Sequence, residues 1–188
     1  MIRYNIYKVK DVTRYLILLG IPFISMVGSI MHFIYDWSGK LVLVGIIAPV
    51  NESVWEHLKL TFLPTIFWWV FSYFILSKRD NICYVQCFFS SAVSVFVCLL
   101  FIVSFYYTYT GALGIQSLFL DILSLFLGVT ISQFTALHIY NHAKITSFQL
   151  YFAIGMLIIL AIGFTVFTFK PPHVPLFMDS TTGKYGIY

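Results

Sequence analysis

The segment "PVNESVWEHLKL", residues 49–60, places Asn51, Glu52, Glu56, His57 and Lys59 within one short stretch. Carboxylates beside an imidazole supply what acid–base catalysis needs. They can also hold a divalent metal such as zinc while leaving a position for water. Glu56 and His57 are consecutive, so on a helix they point about 100° apart. The spacing is not His-Glu-x-x-His, where two imidazoles share a face. Lys59 can pair with Glu56 at i, i+3 and is within reach of Glu52, which weighs against a metal because it supplies their counter-charge.

Two further polar stripes bear on the same chemistry. Ser25, Ser29, His32 and Asp36 recur at helical spacing, and so do Ser117, Asp121, Ser124, Gly128, Ser132, Thr135, His138 and His142. Serines and glycines on such stripes serve helix packing in lipid. Ionisable residues are different, since a charge at mid-bilayer costs about 3 kcal/mol. His138 and His142 have ligand spacing, one turn apart, and suit a metal or haem. They lie about 25 Å along the helix from Asp121 and cannot join its cluster. A salt-bridged structural network is the plain alternative for Glu52, Glu56 and Lys59.

The surrounding chain is apolar. Of 188 residues, 60% are hydrophobic and 10% charged, against about 25% charged in average domains. The mean hydropathy is +0.91. Continuous apolar runs select helices, giving an all-α polytopic membrane bundle in one domain, 1–188. Five spans are expected, near 14–35, 51–76, 82–106, 115–140 and 147–169. Residues 41–50 are too few to cross and form a short interfacial or re-entrant segment. The first span is read as retained, not as a signal peptide. Ser53 and Glu56 have capping-box spacing at the start of the second. Cys83, Cys87 and Cys98 read as small core residues.

Sidedness follows from the basic residues. With the N-terminus inside, Arg3, Lys8, Lys10, Arg14, Lys78, Arg79 and Lys144 are internal, and Lys40, Lys170 and Lys184 external. This favours N-terminus in and C-terminus out. The formal charge of +4 then reflects an anionic inner leaflet, with no nucleic acid as partner. Trp68, Trp69 and Tyr73, and Tyr106, Tyr107 and Tyr109, fit interfacial belts. The tail 170–188, with Pro171, Pro172, Pro175 and the turn-forming "DSTTGKYG", is expected to fold back over the outer mouth, bringing His173 or Asp179 to the pocket.

The stretch "HFIYDWSG", then "APVNESVWEHLKLTFLP", and the closing "PPHVPLF" and "TGKYGI" resemble a family of small polytopic proteins of Firmicute bacteria whose activity is unknown. The resemblance implies a bacterial plasma membrane. A looser likeness, by residue type, is to intramembrane zinc hydrolases of the alkaline ceramidase and adiponectin-receptor type. It would align Ser29, His32, Asp121 and the pair His138/His142, but there are five spans here and not seven.

The expected site is an outward-facing pocket. Glu52, Glu56, His57, His32 and Asp121 are its candidate catalytic groups. Asp36, Asn51, Lys59, Ser29, Ser124 and His173 line it or relay protons. The candidate metal ligands are His32, His57 and Glu56, or else His138 and His142. Three functions fit: an intramembrane hydrolase or transferase on a lipid-like substrate, a small transporter or proton conductor using the same relay, and a non-catalytic membrane partner.

Overall fold

The computed structural model describes residues 2–78 and 84–187, with side chains from residue 11 onward. Arg79, Asp80 and Cys83 lie outside the described residues. The elements are α1 (Ile2–Trp37), α2 (Val42–Gly45), α3 (Val54–His57), α4 (Lys59–Ser77), α5 (Tyr84–Tyr107), α6 (Leu118–His142) and α7 (Ser147–Phe169). A π-helical turn, Thr108–Ala112, extends α5, and a 3₁₀ turn, Pro175–Phe177, lies in the tail.

Among the described residues, five helical stretches are long and apolar enough to cross a membrane: Asp11–Trp37, Val54–Ser77, Tyr84–Ala112, Leu118–His142 and Ser147–Phe169. They match the expected spans, with one difference at the start. The first helix begins at Ile2, well before residue 14, because no proline or glycine interrupts the polar N-terminal residues. At about 54 Å it is longer than the roughly 30 Å of hydrocarbon in a bilayer. Residues 41–50 supply only the single turn α2, whose Leu41, Val42 and Leu43 are exposed, in keeping with a segment too short to cross.

Helices α1, α4, α5 and α6 pack around Ile24, Trp68, Val95, Cys98 and Val129. Trp68 and Trp69 belong to this interior, not to an interfacial belt. Trp69 is 1% exposed, and the Trp68 indole donates to the Leu16 carbonyl at 3.0 Å, an acceptor that only a neighbouring helix provides. Cys87 and Cys98 are buried. The α7 helix packs on α5 and α3 and shows most of its surface outward. A capping box between Thr146 and Gln149 fixes its start.

One crossing positions the site. A Cβ on Gly28 would lie 2.5 Å from the Leu60 backbone oxygen, so α1 and α4 meet there backbone to backbone. His32 stands one turn beyond Gly28 on the same face, which brings its ring to the start of α3.

Candidate functional site

The residues of 49–60 divide between two clusters, one closed and one open. Ser53 is extended (ψ 150) and caps α3, its hydroxyl accepting from the Glu56 amide at 3.3 Å. The return half of a capping box is missing, because the Ser53 amide donates to Asn51 Oδ1 at 2.9 Å. From that start, Glu56 and His57 point apart as consecutive helical residues must.

Glu56 turns into the protein. Its Oε2 accepts from Lys59 Nζ at 2.6 Å and from the Val50 amide at 3.1 Å, and its Oε1 accepts from the Thr168 hydroxyl at 2.8 Å. Lys59 donates also to the Gly45 carbonyl at 2.8 Å and to Thr168 Oγ1 at 2.6 Å. All three ammonium protons therefore have acceptors. Glu56 and Lys59 are 2% and 1% exposed. This cluster ties α2, α3, α4 and α7 together. Neither residue lines the cavity described next, and the grouping of Glu56 with His32 and His57 as metal ligands does not form.

The open cluster is His32, Glu52 and His57. Glu52 Oε2 lies 3.3 Å from His57 Nε2, and Glu52 Oε1 lies 3.7 Å from His32 Nε2. The two rings are 5.2 Å apart. His57 Nδ1 donates to the Ser53 carbonyl at 2.9 Å, which fixes the proton there and turns Nε2 toward the carboxylate. The Glu52 carboxyl is held below its ordinary 4.5, first by the hydrogen bond with His57, with burial working against the shift and the charges of both histidines adding to it. Glu52 pairs with these imidazoles and not with Lys59.

These three residues form one wall of a cavity of about 700 Å³. Ser29, Ser117, Asp121, Ser124, Tyr106, Tyr109 and Thr110 belong to its polar lining, and Phe33, Leu60, Leu118, Ile122, Leu125 and Phe126 to its apolar lining. Asp121, in the first turn of α6, accepts from the Tyr109 hydroxyl. Tyr106 and Tyr109 are thus cavity residues. The π turn carries the latter inward, to 4% exposure, and their sequence pattern alone suggests only a belt.

The tail folds over this end. Ser180 and Thr181 line the cavity. Ser180 bonds the Glu52 carbonyl through its amide (3.4 Å) and its hydroxyl (3.2 Å), and Asn51 Nδ2 donates to the Gly186 carbonyl at 2.9 Å. Gly186 has φ +69 and meets the Thr168 carbonyl and Pro171, a conformation and a fit that suit glycine. Asp179 is buried, accepting from the Glu52 amide at 3.4 Å and from Thr181 and Thr182. It organises the turn and does not line the cavity. The His173 ring packs tilted against Tyr185 with centroids 4.6 Å apart, and Asp36 is exposed; neither lines the cavity. Asn51 is a buried strut beneath it.

His138 and His142 stack on each other at 4.4 Å at the far end of α6, with His142 Nδ1 donating to the His138 carbonyl. Among the described residues, the one grouping of three or more donors able to hold a metal is His32, Glu52 and His57, all within 4.8 Å of one another. Thr168, which completes the closed cluster, and Ser180 and Thr181 carried no signal beyond their turn and helix context.

Among the described residues, fold and site together define an all-α bundle with five membrane-length helices and, at one end, a cavity lined by both polar and apolar residues. The chain belongs to DUF6512, a family of unknown function, which matches residues 5–187. No curated protein and no solved structure matches it.

Proposed function

We propose that this chain is a multi-pass protein of a bacterial plasma membrane, N-terminus inside, whose outward-facing cavity takes a lipid-like substrate and hydrolyses it or transfers a group from it. The observation that carries this reading is the two-sided character of the cavity. Its apolar lining residues Phe33, Leu118, Ile122 and Phe126 are 43–74% exposed on α1 and α6, where acyl chains would surround them. Its polar lining holds two imidazoles and two carboxylates, those of His32, His57, Glu52 and Asp121. An amphiphile entering between α1 and α6 would leave its chains among the former and present its headgroup to the latter.

Asp121 is the general base in this reading, oriented by the Tyr109 hydroxyl. The wall of His32, Glu52 and His57 polarises the group attacked. Incubation of the purified chain in vesicles of bacterial polar lipids, followed by mass spectrometry of the extract, tests it. A new lipid product that disappears in Asp121→Asn supports the reading. An unchanged lipid profile with folded protein contradicts it.

A second reading, a small proton or ion conductor, draws on polar side chains that continue inward from the cavity. Ser94 donates to Ser132 at 3.3 Å, and Gln133, on the next position of α6, is fully buried with its amide against Gly20 of α1. Proton flux into liposomes that Asp121→Asn and His138→Ala abolish would favour it.

A further inference from the structure

We propose that His32 Nε2, His57 Nε2 and the Glu52 carboxylate bind one divalent transition-metal ion, zinc foremost, with its fourth position open to the cavity. The donor distances carry the proposal. Ligands about 2.0–2.1 Å from a tetrahedral zinc lie about 3.3 Å apart. Glu52 stands 3.3 Å from His57 and 3.7 Å from His32, and all three donors fall within 4.8 Å of one another.

The hydrogen bonding points the same way. Because His57 Nδ1 donates to the Ser53 carbonyl, the neutral ring turns a lone pair toward a carboxylate oxygen. In the His57–Glu52 hydrogen bond a proton bridges these two atoms, and a metal ion bound between them takes that proton's place. The Ser53 carbonyl is the outer-shell partner that fixes a ligating imidazole. Its own position is set: Ser53 is 1% exposed, with its amide on Asn51 and its hydroxyl on Glu56. Lys59, the ammonium within the segment, is spent on Glu56, Thr168 and Gly45, so it does not serve Glu52 as counter-charge. Two imidazoles and one carboxylate suit zinc, iron or manganese over magnesium or calcium, which prefer all-oxygen sites. Three protein ligands with an open position is the pattern of a catalytic site and not of a structural one. Asp121, across the same cavity, stays free of the metal to accept a proton from water bound there.

The role of this ion rests on the lipid reading above, but its binding does not. The test uses the full chain purified in detergent. It is stripped with chelator, then titrated with zinc by calorimetry and with cobalt by visible absorption, alongside elemental analysis of the unstripped protein. The expected result is one ion per chain and a four-coordinate cobalt spectrum. Affinity should fall at least tenfold in Glu52→Gln and in His57→Gln, and stay unchanged in His138→Gln, with melting curves confirming that each variant is folded. Folded protein that takes up neither metal, or binding indifferent to Glu52→Gln, overturns the proposal. If metal binding fails while lipid turnover persists, the ion is excluded and the lipid reading survives. Stoichiometric metal without turnover excludes the reaction and leaves the site.

Discussion

Two charged clusters stand back to back at the start of α3, and they differ in whether their polar atoms are satisfied. Around Glu56 the account closes: every Lys59 proton and both Glu56 oxygens have partners, and the residues are sealed from solvent. Around Glu52 it stays open. The side chain of Glu52 is 45% exposed, two imidazoles approach it at 3.3 and 3.7 Å, and a cavity lies in front. A buried pair with complete hydrogen bonding holds a fold together. An exposed, incompletely partnered set facing a cavity is arranged for something that arrives later. The same segment thus supplies a clamp with one face and a site with the other.

The comparison breaks most sharply at Lys59. Lys59→Met leaves Glu56 buried without its counter-charge and should cost about 3–5 kcal/mol, seen as a large fall in melting temperature. The double variant Lys59→Met/Glu56→Leu should recover most of that loss. A tolerated single variant would mean that the clamp is not closed. Thr168→Val removes a hydroxyl that both charged groups use and should cost about 1–3 kcal/mol by the same measurement. Glu52→Gln should shift stability by no more than about 1 kcal/mol, because its pairing is partly exposed.

The smallest effect is a pH dependence. Glu52's carboxyl is lowered in the folded state, so its contribution is complete above its ordinary 4.5 and is lost as the pH falls below that value. The difference in melting temperature between native protein and Glu52→Gln should therefore narrow in acid. A difference that widens would reverse the sign of the shift.

Much of the architecture can be read from residues alone, for reasons that are local. Uninterrupted apolar runs mark the five long helices, whereas the roughly 100° between Glu56 and His57 does not keep the sequence from suggesting one shared pocket for both; the structure turns Glu56 inward onto Lys59 and leaves His57 at the cavity. The turn-rich "DSTTGKYG" anticipates a tail that folds back. What fails is the grouping of Glu52 with Glu56 and Lys59 in one salt-bridged network. Glu52 precedes the N-cap Ser53, where the chain is extended, so helical periodicity does not apply to it. Its partners are instead set by the Asn51 turn and by the tail, which contact it from more than a hundred residues away. Thr168 is equally distant from Lys59, and Tyr109 reaches Asp121 only because a π turn rotates it inward. Such long-range and irregular features leave no periodic trace.

The division into clamp and site is tested most directly by measuring lipid turnover in vesicles with Glu52→Gln protein that melts near the native temperature. The expected result is turnover lost from a protein that remains folded. Turnover at the native rate would place the chemistry elsewhere and contradict the account.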